Sequence, residues 1–386
     1  MKKQPRVAIL IDTSSGHGRR LLEGIIDYQR ECGPWSIIFR SHNPGQPVPS
    51  WLRNSHIDGI LARVPDQQMA KVIRQRKLAV VDFSYTSEGF GFPSLFTDSS
   101  GIVQLAAEHL LDRGFRNFAF CGWPSGHNSR MDERCQLFVQ FLSQAGYSCN
   151  TFQEKNSRWI ARDWEKEQQR IADWLLALPK PVGVMACYDE RGQQVLEACQ
   201  IAKLKVPDEV AVIGVDNDDL ICKLSTPALT SVDPGFEHIG YEAAALLDRL
   251  MKRKKQPVSP VFYPPVRVIQ RQSTDVIAVD DKDLAIALQF IRENASQRIS
   301  VDDILEVVPI SRSSLERRMK KHIGRTPKAE IIRVQLERVK ELLAETDLSL
   351  AAIAVKSGFE HPQYLAELFK QRFKITPGSY RRSIRK

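Results

Sequence analysis

In the first 280 residues of this 386-residue chain, several apolar, β-rich runs end in an aspartate. Because the carboxyl ends of parallel strands face the ligand crevice of an open sheet, their carboxylates are candidates to converge there. Carboxylates combined with arginines suit a polyol, since adjacent hydroxyl groups donate to Asp and accept from Arg. Capping of the next helix is the alternative role of each Asp. The five residues are Asp12, Asp82, Asp98, Asp189 and Asp216.

No catalytic constellation accompanies these carboxylates. The "GHG" at residues 16–18 lacks the third glycine of a dinucleotide fingerprint, and neither a "GK[ST]" nor a "G-x-S-x-G" occurs. The seven cysteines form no Cys-x-x-Cys pair and lie near no histidine pattern, which is typical of reduced thiols in a cytosolic protein. We therefore expect no enzyme activity, no metal site and no cofactor.

A short sequence element occurs twice near the C-terminus. The first copy is "SRSSLERRMKKHIGRTP", and the second, fifty residues later, is "HPQYLAELFKQRFKITP". Leu315, Met319 and Ile323 recur at four-residue steps, and apolar residues stand at the matching positions of the second copy. Each copy follows a short segment that begins with a capping serine. The sequence therefore predicts two helix-turn-helix units, at residues 300–323 and 349–373.

The polar positions of the two copies differ, as expected if one scaffold is used to read two DNA segments. Arg pairs bidentately with guanine, Gln pairs with adenine and Glu accepts from cytosine, while nearby Lys and Arg contact phosphates. Residues 282–386 carry 21 Lys or Arg against 13 Asp or Glu, whereas the rest carries 34 against 33, which favours a polyanionic partner for this part. A solvated helix face is the alternative role of any single charge. The candidate DNA-binding residues are Arg312, Ser313, Glu316, Arg317, Arg318, Lys320, Gln363, Tyr364, Glu367 and Lys370.

The aspartates can converge only if the strands before them form parallel sheets. The first 280 residues show the alternation of strands and helices that such sheets require. Runs such as "RVAILID" and "VAVIGVD" are separated by segments of helical period, which predicts parallel sheets flanked by helices. The length suits two lobes side by side, with a single β/α barrel as the structural alternative. The predicted organisation is α/β over residues 5–276, a linker at 277–282 and an all-α domain at 283–386.

Three stretches resemble the sugar-binding domain of the LacI repressor family: "RVAILIDTSSGHGRRLLEGI", "SLFTDSSGIVQLAAEHLLDRGFRNFAFCG" and "VPDEVAVIGVDNDDLICKLSTPALTSVDPGFEHIGYEAAALLDRL". The resemblance covers roughly residues 5–276 and implies a fold like that of periplasmic sugar-binding proteins, with ligand between two α/β lobes. One departure is that the DNA-binding helices of that family precede the sugar domain, whereas Met1 stands almost directly before the first predicted strand here. The ligand-binding residues that the resemblance implies are His17, Arg19, Asp98, Arg134, Asp189 and Asp216.

The segment "LAAIAVKSGFEHPQYLAELFKQRFKITPGSYRR" carries the signature of the AraC-family DNA-binding domain, which residues 282–386 resemble. The long helix predicted for "PKAEIIRVQLERVKELLAE" would join the two reading helices. Those helices would enter successive major-groove faces about 34 Å apart.

A LacI-like sugar domain followed by an AraC-like DNA domain resembles the xylose-operon regulators of bacteria. The resemblance implies a cytoplasmic transcription regulator that activates carbohydrate-catabolism genes when a pentose such as xylose binds. The implied partners are double-stranded DNA, the sugar effector, a second copy of the chain and RNA polymerase. No membrane contact is expected, because no stretch of eighteen apolar residues occurs.

Other functional classes would require different sequence features. A repressor that senses a nucleoside or another sugar is the nearest alternative, since Trp123 and Tyr188 could stack on a base. A response regulator would need a far shorter receiver domain. An alkyltransferase fused to a DNA reader would need a reactive cysteine motif, which neither Cys121 nor Cys187 provides.

Overall fold

The computed structural model describes residues 4–42, 46–84, 90–126, 128–152, 164–252, 259–276 and 281–384. The chain divides into two compact units. Unit 1 comprises Met1–Ala107 with Asn117–Asp275, and unit 2 comprises Glu108–Arg116 with Val276–Lys386. Most of the linker predicted at 277–282 lies outside the described residues.

A parallel sheet of four strands forms the first lobe of unit 1. Its elements are β1 (Arg6–Leu10), α1 (Gly16–Cys32), β2 (Ser36–Arg40), α2 (Trp51–Asn54), β3 (Gly59–Ala62), α3 (Gln67–Arg76) and β4 (Ala79–Asp82). The strand order is β2-β1-β3-β4. Because side chains alternate across a strand, Val7 and Ile9 of β1 enter one hydrophobic cluster while Ala8 and Leu10 enter another. Both faces of β1 are therefore buried, which explains its uninterrupted apolar sequence.

A sheet of six strands forms the second lobe, and short segments connect it to the first. The elements are β5 (Leu95–Thr97), α4 (Ser99–Asp112), β6 (Asn117–Cys121), α5 (Ser129–Gln144), β7 (Cys149–Phe152), α6 (Trp164–Ala177), β8 (Val182–Ala186), α7 (Asp189–Ile201), β9 (Val210–Val215), α8 (Asp219–Leu224), β10 (Thr230–Asp233), α9 (Phe236–Met251), β11 (Val261–Tyr263) and β12 (Arg267–Ile269). The order is β12-β10-β9-β8-β6-β7, and only β12 runs antiparallel to its neighbour. A third sheet pairs β5 with β11. The separation of the four-stranded and six-stranded sheets excludes the β/α barrel and confirms the two-lobed prediction.

Helix α9 returns the chain from the second lobe to the first, where it packs on α1. Glycines permit this close approach, because a Cβ on Gly24 would lie 1.8 Å from the carbonyl oxygen of Glu237. A Cβ on Gly240 would lie 2.1 Å from the carbonyl oxygen of Leu21. The two helices therefore hold the start of α1 against residues that follow β10, where the chain passes between the lobes.

The part of unit 2 after residue 280 is helical, as the sequence predicts. Its helices are α10 (Lys282–Asn294), α11 (Val301–Val307), α12 (Arg312–Ile323), α13 (Pro327–Glu345), α14 (Leu350–Lys356), α15 (Pro362–Phe373) and α16 (Pro377–Ile384). The Ser300 hydroxyl accepts hydrogen bonds from the N–H groups at the start of α11, and Ser349 caps α14 in the same manner. Helices α11–α12 and α14–α15 are thus two helix-turn-helix units joined by α13.

Each helix-turn-helix unit has its own hydrophobic core. Leu315, Met319 and Ile323 of α12 are buried in one cluster. Leu365 and Phe369 of α15 are buried in the other. The matched apolar positions of the repeat therefore attach each second helix to its own unit, which leaves the opposite face of the helix to solvent.

Candidate ligand cleft and DNA interface

The carboxyl ends of the strands in unit 1 carry the predicted ligand residues, on loops and helix starts from both lobes. Burial is the main cause of the lowered pKa of His17 and of the raised pKa of Asp216, and the positive charge of Arg134 acts on both groups to lower the pKa. This shared influence places a first-lobe residue, His17, in one electrostatic environment with two residues of the second lobe.

Asp216 follows β9 and is only partly exposed. Burial raises the pKa of Asp216 to about 7, against the opposing effects of Arg134 and Arg20. Its φ of 103° lies in a region that costs a non-glycine residue roughly 1–3 kcal/mol. The Asp216 N–H donates to the Val232 carbonyl oxygen at 3.1 Å. Asp216 is therefore a carboxylate that titrates near neutral pH on a strained, fixed backbone.

Arg134 lies on α5 and is 6% exposed. One Nη donates to the carbonyl oxygen of Cys187 at 2.8 Å. Its buried Nε has no hydrogen-bond partner among the described residues. A buried guanidinium donor without a partner carries a desolvation cost that a bound ligand oxygen would relieve.

Asp189 begins α7 and is 1% exposed. Burial and the neighbouring charge of Asp216 raise the pKa of Asp189 well above its usual value. Its two oxygens accept from the Ser231 hydroxyl at 2.6 Å and from the N–H of Asp218 at 2.7 Å. These internal partners give Asp189 a role in fixing the start of α8, beside the ligand contact that the family resemblance predicts.

His17 and Arg19 lie in the first turn of α1. Burial and the charge of Arg63 lower the pKa of His17 to about 4, so its imidazole is neutral at pH 7. An Nη of Arg19 donates to the carbonyl oxygen of Thr13 at 2.8 Å, and the other pairs with Asp218 at 3.3 Å. The Arg19–Asp218 ion pair joins the first lobe to the second.

The remaining strand-end aspartates make local contacts. Asp98 accepts from the N–H of Ser100 at 2.9 Å, which is the helix-capping role left open by the sequence. Asp12 accepts from Ser14 in the same way. Asp82 is buried, accepts from the Val64 N–H and the Ser84 hydroxyl, and has its pKa raised to about 6 by burial. The contacts of Asp82 with Val64 and Ser84 give it a structural role. The ligand role of Asp98 stays a prediction.

The aromatic residues that could serve a nucleoside stack on each other. The Trp123 and Tyr188 rings lie 5.8 Å apart with an interplanar angle of 27°. The guanidinium of Arg191 lies 5.4 Å from the centre of the Trp123 ring. The faces through which these rings contact one another are not open to a base in this arrangement.

Sequence reasoning missed two residues that contact the candidate ligand residues. Arg20 donates to the main-chain oxygen of Asp216 at 2.9 Å, and Asp218 caps α8 while it pairs with Arg19. The only signal in the sequence is that Arg20 directly follows the predicted Arg19 and that Asp218 lies two residues after the predicted Asp216. Their side-chain directions depend on how α1 and α8 approach each other, which periodicity does not reveal.

The exposed faces of α12 and α15 carry nearly all the predicted DNA-binding residues. Nine of the ten predicted residues belong to this group: Arg312, Ser313, Glu316, Arg317 and Lys320 on α12, and Gln363, Tyr364, Glu367 and Lys370 on α15 are exposed. The buried residues of both helices lie between these positions at helical spacing. The geometry therefore allows two helices of the same kind to present different polar groups.

Two arginines of α12 have acidic partners in unit 2. Arg318 is only partly exposed and pairs with Asp281 at 3.0 Å and Asp283 at 3.3 Å, at the start of α10. Arg312 pairs with Asp302 at 2.7 Å, but both side chains are exposed. Arg318 therefore anchors α12 to α10, and its predicted DNA contact must compete with two carboxylates.

Replacing Arg317 or Lys320 with alanine is expected to affect DNA binding differently. A base-reading arginine contributes about 1–3 kcal/mol of discrimination, so Arg317→Ala should relax preference at one or two base pairs roughly tenfold. Lys320→Ala should weaken all sequences alike and reduce the salt dependence by about one phosphate contact. Selection from a random DNA library, followed by titrations at several salt concentrations, measures both effects.

Lys282→Ala is the matched control, because Lys282 is an exposed cation outside the reading helices. It should leave selected sequences and salt dependence unchanged. Identical sequence preferences for Arg317→Ala and Lys320→Ala would remove the distinction between the two residues.

Comparison with known proteins identifies both parts of the chain. Residues 107–274 match the model of the periplasmic binding protein-like domain, and residues 304–383 match that of a helix-turn-helix domain. The chain is 33% identical over 387 aligned positions to the xylose operon regulatory protein of Escherichia coli K12, covering 98% of this chain and 97% of the relative. The chain belongs to the family of xylose operon regulatory proteins.

Another member of the xylose operon regulatory family, from Haemophilus influenzae, is 32% identical and covers 97% of this chain and 98% of its own length. The solved structure of a xylose-binding transcription activator, xylR, matches with a TM-score of 0.63 and 32% identity over 98% of both chains. This family consists of transcription regulators, so the prediction that the chain is not an enzyme is confirmed. The chain is a DNA-binding transcription regulator with a sugar-binding domain.

The part of the chain that the structure describes shows neither a membrane-spanning helix nor a metal-binding cluster. None of the helices there is long and apolar enough to cross a membrane. No group of three or more His, Cys, Asp or Glu side chains there is arranged to hold a metal ion.

Proposed function

We propose that the cleft of unit 1 binds a pentose, with xylose as the first candidate, and that the bound sugar switches on carbohydrate-catabolism genes. The observation that carries this proposal is the combination of Asp216 and Arg134. One is a partly exposed carboxylate whose pKa is about 7, and the other is a buried guanidinium with an unpartnered Nε. A carboxylate that accepts and a guanidinium that donates match the neighbouring hydroxyl groups of a sugar.

The proposed switch is a shift between open and closed lobes. A sugar that contacts both lobes only when they are closed favours the closed state by its difference in affinity. Moving such an equilibrium from 1:99 to 99:1 needs about 5.5 kcal/mol. Hydrogen bonds to charged groups contribute about 1.5–3 kcal/mol each, so two to four contacts from residues such as Asp216 and Arg134 suffice.

The proposed output is DNA binding by a homodimer in the cytoplasm. Two identical chains related by two-fold symmetry present paired reading helices to paired half-sites, and the sugar-bound form sets their spacing. Activation then requires contact with RNA polymerase at the promoter. The names of the full-length relatives, which are regulators of a xylose operon, support this choice of sugar and of gene class.

A thermal-shift screen of the purified chain against pentoses, hexoses and nucleosides tests the ligand class. A ligand at 100 times its dissociation constant adds about 2.7 kcal/mol to the stability of the part that binds it, so the cognate sugar should raise the melting temperature by several degrees. We expect the largest shift with xylose. Stabilisation by a nucleoside alone would contradict the proposal and would favour a nucleoside site that includes Trp123 and Tyr188.

A further inference from the structure

The loop after β9 holds Asp216 in a backbone conformation that non-glycine residues disfavour. Asp216 and Asn217 have φ values of 103° and 50°, both positive although neither residue is glycine. Such a conformation persists only where the surrounding structure determines it. The main-chain hydrogen bonds of this loop therefore show which residues fix the position of the Asp216 carboxylate.

Several hydrogen bonds within the second lobe hold this loop. The N–H of Asp216 donates to the Val232 carbonyl oxygen, and the N–H of Asn217 donates to the Ser231 hydroxyl at 3.0 Å. Arg271 donates to the side chain of Asn217 at 2.8 Å. The carbonyl oxygen of Asp216 is held by a different lobe, because its donor is Arg20 of α1 at 2.9 Å.

Arg20 joins three segments of unit 1 through one guanidinium. Besides the Asp216 oxygen, it pairs with Asp233 at the end of β10 and with Glu237 in the first turn of α9, both at 2.7 Å. Its side chain is only 15% exposed. Asp233 and Glu237 flank the place where the chain passes from the second lobe to the first. Arg20 is therefore anchored at a crossover between lobes while it holds the Asp216 backbone.

We propose that Arg20 is a positioning residue for sugar recognition, which fixes the Asp216 carboxylate by holding its main-chain oxygen from the opposite lobe. This inference rests on the proposed role of Asp216 as a sugar-binding residue. Arginine suits the task because its planar guanidinium presents several donors in a rigid fork, whereas lysine offers one flexible ammonium group. Its five N–H donors are enough to serve the main-chain oxygen and both carboxylates at once.

Arg20 also acts on Asp216 through its charge, and this effect can be separated from its geometric effect. The charged groups that act on Asp216 come from its own loop and from three other elements, α1, α5 and α7. Arg134 and Arg20 lower the pKa of Asp216, while Glu190 and Asp218 raise it, and Asp189 is coupled to it. Removing the charge of Arg20 must therefore raise the pKa of Asp216 further, whereas a lysine that keeps the charge need not.

The test uses the full chain with the variants Arg20→Gln and Arg20→Lys, titrated with D-xylose by calorimetry between about pH 5 and pH 9. Protonation removes the charge of a carboxylate and turns one of its two acceptor oxygens into a donor. Wild-type affinity should therefore fall as the pH drops below about 7. Arg20→Gln should bind about tenfold more weakly at pH 7 and show its affinity midpoint at higher pH. Arg20→Lys should also bind more weakly but keep the wild-type midpoint. Arg30→Gln, on the exposed side of the same helix, should change neither quantity.

Each outcome separates this inference from the function on which it rests. Wild-type affinity and midpoint in Arg20→Gln, together with lost binding in Asp216→Asn, would overturn the role of Arg20 alone. A weaker Arg20→Gln with an unchanged midpoint would indicate a merely structural role and would also contradict the proposal. If Arg20→Gln does not fold, Arg20→Lys decides, since wild-type affinity there is incompatible with positioning. Unchanged binding in Asp216→Asn would instead reject the proposed sugar site.

Discussion

Asp216→Asn is expected to weaken sugar binding by roughly 30-fold or more, while DNA binding without sugar stays as in the wild type. Truncating one partner of a buried, charge-assisted contact costs about 2 kcal/mol or more, because the other polar groups are left unpaired. Here the group left without its counter-charge would be Arg134, which is 6% exposed. Asparagine is preferred over alanine because it tolerates a positive φ, such as the 103° at this position. Calorimetric titration with sugar and a footprint without sugar measure the two effects.

Asp219→Asn is the matched control for Asp216→Asn. Asp219 lies three residues away, has 60% of its side chain exposed, and pairs with Lys223 at 2.8 Å and more distantly with Arg271 at 3.8 Å. The same loss of charge at this position should leave sugar affinity unchanged. Equal losses in both variants would show that general electrostatics, rather than a contact of Asp216, controls binding. The pH dependence gives a second check, because Asp216→Asn should abolish the fall in affinity below about pH 7.

Phe369→Ala is expected to unfold the second helix-turn-helix unit or to leave it marginal. Phe369 is fully buried and packs against Phe373 at 4.6 Å and Tyr380 at 5.6 Å between ring centres. Removing a buried phenylalanine costs about 3–5 kcal/mol, a large part of the stability of a domain of this size. Thermal unfolding should show a transition lowered by more than about 10 °C. A footprint should lose contacts over the half-site bound by α15.

Tyr364→Ala provides the comparison within the same helix. Tyr364 is an aromatic residue on α15, but it is 46% exposed and lies on the predicted DNA-binding face. Its removal should change sequence preference while the unfolding temperature stays within a few degrees of the wild type. A Phe369→Ala protein that melts like Tyr364→Ala would show that the second core contributes little to the unit.

The helical DNA-binding part was predictable almost to the residue because its determinants are local. Serine caps, a four-residue apolar repeat and prolines at helix starts lie within a few positions of the boundaries they set. The unit predicted at 300–323 corresponds to α11 and α12, and that predicted at 349–373 corresponds to α14 and α15. In the α/β part, β1 and β9 were predicted as strands, the fully buried β10 was not, and β7 was missed as well. Its sequence, "CNTF", is short and polar and lies at the edge of the sheet.

The candidate cleft was less predictable because its contacts join residues far apart in the chain. Arg20 and Asp216 are 196 positions apart, and Asp189 contacts Asp218 across 29. Because both follow a predicted strand, Asp82 and Asp216 were equally good candidates for ligand binding. The structure separates them, since Asp82 is satisfied by its neighbours Val64 and Ser84, whereas Asp216 is held by its main chain.

The sequence by itself determined the α/β class of the first part, the all-α class of the second and the two helix-turn-helix units with their polar faces. These follow from periodicity and capping, which act over one or two turns of chain. Only the tertiary structure decided which charges are occupied internally. Arg318 is engaged by Asp281 and Asp283, and Asp189 by Ser231 and Asp218. The physical reason is that hydrogen-bond partners depend on how helices and strands pack, and packing brings together groups whose separation along the chain carries no signal.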